Sequence, residues 1–181
     1  MRVITGSARG RKLKEPAGND IRPTTAQVKE AMFNICQFEI EGRRVLDLFG
    51  GTGQLGIEAK SRGAAEVEIV DSGREAIALI RENVRATGLD IAVRQADALD
   101  YLLRCAAFDL VFLDPPYGSF LAEEALKAIK LFDKLSFGGI IICESDAKTL
   151  LPELDPPYEK GREYRYGKVK LTVYTKRGEI E

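Results

Sequence analysis

The sequence predicts an α/β fold: a mostly parallel sheet of seven strands, covered by helices on both faces and finished by an antiparallel hairpin. Three observations carry this prediction. After Arg44, short β-rich apolar runs alternate with longer segments whose apolar residues recur at helical spacing. Glycines in the pattern G-x-G-x-x-G follow the first run and open the first helical segment after it. At the end, "EYRYGKVKLTVYTK" reads as two alternating runs around Gly167.

Taken in chain order, "RVITG" and "RKLKEP" are expected to pair across "SARG" as a small hairpin. "RPTTAQVKEAMFNIC" then starts a helix, with Thr24 or Thr25 as N-cap and with Ala31, Ile35 and Phe38 facing inward. Residues 1–40 therefore read as an N-terminal extension of a main domain spanning 41–181. The strands of that domain are "RVLDLF" (44–49), "EVEIV" (66–70), "IAVRQ" (91–95), "DLVFL" (109–113) and "GIIICE" (139–144). Between them lie "GQLGIEAKSRG", "REAIALIRENVRATG" and "AEEALKAIKLF". In the second of these, Ala76, Ile77, Ile80 and Val84 share a face and Gly88 supplies the stop.

A chain of 181 residues suits one domain with one core, and 45% apolar with 30% charged residues is an ordinary soluble composition. The basic start "MRVITGSARGRK" lacks the long apolar segment of a secretion signal, and runs such as "GGIIIC" are too short to cross a bilayer. The expectation is a cytoplasmic protein with no membrane association, acting as a monomer. Cys36, Cys105 and Cys143 are odd in number and widely spaced, and read as reduced core residues. The chain has no histidine, which removes the commonest general base and the commonest zinc ligand together. No metal is expected, so chemistry must run on carboxylates, backbone groups or a cofactor.

The net charge of −1 conceals an asymmetry. Residues 1–29 carry seven Lys or Arg against two acids, and residues 158–181 carry seven against four, so the middle holds −9. Basic ends around an acidic body suit ends that touch a polyanion, or simply solvated termini.

In "LDLFGGTGQLGIEA", Gly51, Gly53 and Gly56 let main-chain N–H groups lie against a nucleotide at a helix N-terminus. Two cofactors fit this pattern. A dinucleotide would set its pyrophosphate on the helix end and its ribose on Asp71, about 20 residues on. S-adenosylmethionine has a cationic end instead, and Asp47 just before the glycines supplies a carboxylate for it. Asp71 would then hold the ribose hydroxyls, and Asp97 after the third strand the adenine amine.

"VFLDPPYG" leaves the fourth strand through Asp114, Pro115, Pro116 and Tyr117, at the sheet edge where open α/β folds bind ligands. An exocyclic amine on a base is a poor nucleophile, because its lone pair is delocalised into the ring. It improves when acceptors hold its N–H bonds, and the Asp114 carboxylate with the Pro115 carbonyl are two such acceptors. Tyr117 offers a face for a flipped-out base.

"DPPY" with the glycine loop resembles the S-adenosylmethionine-dependent amino-methyltransferases. With "MRVITGSARGRKL", "RPTTAQVKEAMFNI" and "GIIICES", the chain is similar over nearly its whole length to the RsmD family, the 16S rRNA (guanine(966)-N(2))-methyltransferases. That resemblance implies a Rossmann-like class I methyltransferase fold and S-adenosylmethionine as cofactor. It implies methylation of a guanine N2 in 16S rRNA or the assembling small subunit. The alternative is an adenine N6, which the tetrapeptide would serve equally. By the same resemblance the cofactor site maps onto Asp47, Phe49, Gly51, Gly53, Asp71, Ser72, Asp97 and Ala98. The catalytic segment is Asp114 to Tyr117. The RNA-contacting residues are Arg9, Arg11, Arg22 and Thr24.

Overall fold

Thr25 has extended backbone and its hydroxyl accepts from the Val28 N–H, so the first helix, α1 (Ala26–Ile35), begins where a capping threonine is available. The computed structural model describes residues 1–16 and 25–178. After α1 come β1 (Arg44–Asp47), α2 (Gln54–Ser61), β2 (Glu66–Asp71), α3 (Arg74–Thr87), β3 (Ala92–Gln95) and α4 (Ala98–Arg104). They are followed by β4 (Phe108–Leu113), α5 (Leu121–Leu131), β5 (Leu135–Asp146), β6 (Tyr158–Tyr166) and β7 (Val169–Lys176).

The seven strands form one sheet in the order β3-β2-β1-β4-β5-β7-β6. The first five are mutually parallel, and β7 enters antiparallel beside β5 with β6 at the edge. From β1 the chain winds outward to β3, then returns to β4 and winds the other way. The switch point therefore lies between the carboxyl ends of β1 and β4, where doubly wound sheets hold ligands.

Pleating sorts alternate residues into two cores. Leu110 and Phe112 of β4 face a cluster with Val28 and Phe33 of α1, Ile57 of α2 and Ile77 and Ile80 of α3. Val111 and Leu113 face the opposite cluster, with Leu102 of α4 and Leu126 and Ile129 of α5. In α3 the predicted stripe is present, with Ala76, Ile77 and Ile80 buried and Gly88 closing the helix at φ 70°. The seven-residue α4 lies outside the sequence expectation, because it is too short to display a period. Phe38 corrects another expectation: it is 87% exposed. The helix ends at Ile35, so the spacing that aims Ala31 inward does not reach it. Ile35 itself is only half-buried.

The N-terminal hairpin is real but short, with a single antiparallel bridge between Arg2 and Lys12. Long-range bonds seat it. Glu58 of α2, fully buried, accepts from the backbone N–H groups of Ile4 (2.8 Å) and Thr5 (2.9 Å). Glu58 also pairs with Lys29 at 3.3 Å and Arg62 at 2.9 Å. Asn83 of α3 accepts from the Lys14 N–H at 2.7 Å and donates to the Lys14 and Thr52 carbonyls at 3.1 and 2.9 Å. Val3, Ala8 and Leu13 of this arm lie in the same apolar cluster as α1, α2 and α3. In the terminal hairpin, Tyr158 and Tyr174 are buried, and Tyr164 and Tyr166 lean on the core from its edge.

Candidate active site

A cleft of about 690 Å³ opens at the switch point. Its walls include Phe49 and Gly51 of the loop after β1, Asp71 and Ser72 after β2, Asp97 and Ala98 after β3, and Asp114 to Tyr117 after β4. The expected site residues from four separate strand ends thus meet in one cavity. Asp47 and Gly53 stand behind the wall. Gly53 is the left-handed residue (φ 79°) that caps α2, a conformation costly for any side chain with a Cβ. At Gly56 a Cβ would lie 2.5 Å from Ile69, so glycine lets α2 settle onto β2. Arg9 and Arg11 are exposed on the N-terminal arm. Arg22 and Thr24 lie outside the described residues.

The acids hold the loop as well as lining the cleft. Asp71 accepts from the Gly51 N–H at 2.9 Å through one oxygen and from the Gly73 N–H at 2.7 Å through the other. Asp97 caps α4, accepting from Leu99 and Asp100. Asp47, 1% exposed, accepts from the Gly56 N–H at 3.0 Å through Oδ2, while Oδ1 is buried without a hydrogen-bond partner. A buried acceptor in that state favours a donor brought by a ligand.

Electrostatics separate the two cofactor readings. Asp71, Glu75, Asp97, Asp114 and Glu144 line the cleft, and no Lys or Arg does so among the described residues. A pyrophosphate would meet a negative field there, whereas a molecule with a sulfonium and an ammonium meets a favourable one. The cavity size and the acids at successive strand ends therefore fit S-adenosylmethionine.

Burial is the main reason the Asp47 carboxyl is pushed up to about 8, against an ordinary 3.8; the Gly56 N–H pulls it down, and the charges of Asp114 and Asp71 push it further up. The folded protein thus holds a proton that the unfolded chain releases at acid pH, and folding loses stability as pH rises from about 3.8 through about 8. Asp47→Asn removes that penalty. The cofactor-free variant is expected to melt above the wild type, by a margin that widens from pH 4 to pH 8 and then levels off. Thermal melts across that range check it; a margin independent of pH would refute the burial assignment.

The segment "LDPPY" occurs twice, at 113–117 and again at 154–158. Only the first is at the cleft. It follows β4 directly, Pro115 is buried, Tyr117 is 42% exposed, and the Ser119 hydroxyl stitches the turn by donating to the Pro116 carbonyl at 2.7 Å. In the second, Asp155 is paired with Lys130, and Tyr158 is 3% exposed with its hydroxyl donating to Asp133 at 3.0 Å. That copy anchors the edge hairpin to α5.

Sequence reasoning missed two acids in the cleft, Glu75 in the first turn of α3 and Glu144. Glu144, near the end of β5, is 4% exposed and accepts a hydrogen bond from the Tyr117 hydroxyl. An acid closing the fifth apolar run, beside the strand that ends in Asp114, was the available signal. Gln54 and Val169 also line the cleft without sequence cues.

This sheet order, with a glycine loop after β1, acids at the next strand ends and Asp-Pro-Pro-Tyr after β4, defines a class I S-adenosylmethionine-dependent methyltransferase. The family described as "Conserved hypothetical protein 95" matches residues 1–175. "Putative rRNA methyltransferase YlbH" of Bacillus subtilis (strain 168) is 40% identical, over 98% of this chain and all of that one. "Ribosomal RNA small subunit methyltransferase D" of Escherichia coli (strain K12) is 31% identical, over 100% of this chain and 92% of its own length. Among solved structures, "Putative methyltransferase yhhF from Escherichia coli" superposes with a TM-score of 0.89 at 30% identity, over 98% of both chains. The chain belongs to that family, the RsmD family of methyltransferases.

Proposed function

We propose that the protein methylates the exocyclic N2 of a guanine in small-subunit ribosomal RNA. The observation that carries this reading is the meeting of Asp114, Pro115, Pro116 and Tyr117 with the glycine loop in one cleft. Relatives named as small-subunit rRNA methyltransferases over the full length of the chain supply the substrate class.

Asp47, Phe49, Gly51 and Gly53 hold the methionine end and the loop, Asp71 and Ser72 the ribose, and Asp97 and Ala98 the adenine. Bound S-adenosylmethionine supplies an activated methyl group. The protein's task is then placement. Asp114 and the Pro115 carbonyl accept the two N–H bonds of the amine and keep its lone pair directed at the methyl carbon. Pro115 has a fixed φ and the following Pro116 restricts its ψ, which together keep that carbonyl from turning away. Tyr117 stacks on the extruded base. An alkylated amine is acidic enough to release its proton to water, so a histidine-free site suffices. Positioning of this kind supplies much of the barrier reduction.

Residues 1–40 act as an RNA-binding extension of the 41–181 domain, with Arg9, Arg11, Arg22 and Thr24 toward the RNA. The protein works as a cytoplasmic monomer. Charge reversal at Arg9 and Arg11 together is expected to weaken RNA binding at least tenfold and to flatten its dependence on salt, because each phosphate contact releases counterions. Filter binding from 50 to 200 mM salt measures it, and an unchanged slope would make the arm a bystander.

The deciding experiment is methyl transfer from labelled S-adenosylmethionine to small-subunit particles that lack base methylation, with the product nucleoside identified by mass. N2-methylguanosine at one site supports the proposal. N6-methyladenosine would keep the mechanism and change the target base.

A further inference from the structure

The β4 and β5 strands run parallel with Leu113 opposite Cys143, so Asp114 and Glu144 are the next residues along two neighbouring strands. Adjacent strands lie about 4.8 Å apart, so the two acids leave neighbouring backbone positions, and both line the cleft. Glu144 is buried in the wall, yet it lines the same cavity as Asp114 and Tyr117. The Tyr117 hydroxyl donates to its Oε1. This bond couples the rotamer of the carboxylate to the ring on which a base would stack.

A carboxylate has about four acceptor sites, so one group can serve both a tyrosine hydroxyl and a substrate donor. Guanine presents N1–H next to its N2 amine, a row of donors on one edge. Adenine presents its amine next to N1, which is an acceptor. Two adjacent carboxylates match the first edge and repel the second, lone pair against lone pair.

We propose that Glu144 selects the base: its carboxylate accepts guanine N1–H while Asp114 and Pro115 hold the neighbouring N2 amine. This assignment rests on the N2-methylation reading and extends it to the origin of specificity. Tyr117 takes part as a positioning residue for Glu144 in addition to stacking. A site built to bond a substrate N–H rejects an analogue lacking it strongly, because its buried acceptor is left unpaired.

The probe is 2-aminopurine, which keeps the reactive N2 amine and has no hydrogen on N1. Small-subunit particles are reconstituted with guanine or 2-aminopurine at the target position, and kcat/KM is measured for each. The wild type is expected to prefer guanine by about 100-fold or more. In Glu144→Gln the side-chain carbonyl still accepts from Tyr117, but the amide now offers a donor to the bare N1. The preference is expected to fall below about tenfold, through a slower guanine reaction and an unchanged or faster 2-aminopurine reaction. Equal use of both bases by the wild type would overturn the proposal. So would a Glu144→Gln variant that slows both bases equally, since that would mark Glu144 as a brace for Tyr117 alone. Failure of the wild type to methylate the guanine particle would instead strike the N2-methylation reading, and this assignment with it.

Discussion

Replacing Asp114 with alanine is expected to lower methyl transfer by about 10²–10³-fold or more while S-adenosylmethionine binds within about threefold of wild type. The two readouts separate because Asp114 sits on the β4 loop, whereas the glycine loop is held by Asp71 and Asp47 from β2 and β1. On the proposed assignment the variant keeps only the Pro115 carbonyl as acceptor for the amine, so the base enters but its lone pair is no longer aimed. The fold should not suffer. Asp114 is one of the charges that push the Asp47 carboxyl up, and removing it eases that repulsion. Single-turnover rates with equilibrium cofactor binding decide the matter. Wild-type turnover in the variant would remove the catalytic assignment, and loss of cofactor affinity would move Asp114 into the cofactor site.

The second large effect is structural. Glu58→Ala is expected to destabilise the protein by about 3–5 kcal/mol, the range for leaving one member of a buried ion pair alone. For a chain of this size that is a fall of roughly 10 °C in Tm. The alanine takes a partner from four groups at once: the Ile4 and Thr5 N–H donors, the Arg62 guanidinium and the Lys29 ammonium, which is 2% exposed. Burial already holds the Lys29 pKa below its ordinary value, with Glu58 as the main opposing influence. A lowered lysine pKa means that folding is penalised at low pH and relieved as pH rises through the folded value. Without Glu58 that penalty deepens, so the variant should recover part of its stability between pH 7 and pH 9.5. Melts at both pH values test the sign, and amide exchange at Ile4 and Thr5 shows whether the arm has come loose. A variant as stable as wild type at pH 7 would mean that the arm is not seated by this carboxylate.

The arm illustrates where local reading stops. Its basic residues were visible in the sequence, and a hairpin was expected. Its attachment depends on Glu58 and Asn83, whose partners lie 53, 54 and 69 positions away. Neither residue carries a mark of that role in its own neighbourhood: Glu58 reads as an ordinary helix acid, and Asn83 as a polar residue beside the apolar stripe of α3. Phe38 fails for the opposite reason. Its spacing was extended beyond a helix that had already ended.

What the sequence by itself determined is the set of features written in short windows. These are the alternation of strands and helices, a threonine cap at 24 or 25, the Gly88 stop, the glycine loop after β1 and the hairpin about Gly167. Each follows from backbone dihedral limits, hydrogen-bond caps and the burial period, which act over a few residues. The first "LDPPY" segment follows the fourth apolar run and is thereby assigned to the sheet edge; only the tertiary structure showed where the second, at 154–158, packs. It alone brought Glu144 of β5 to the Tyr117 hydroxyl and left Asp47 buried under the loop with one oxygen unpartnered. Those outcomes depend on strand order. The reversal of winding between β1 and β4 is what makes distant strand ends neighbours, and no local interaction encodes it.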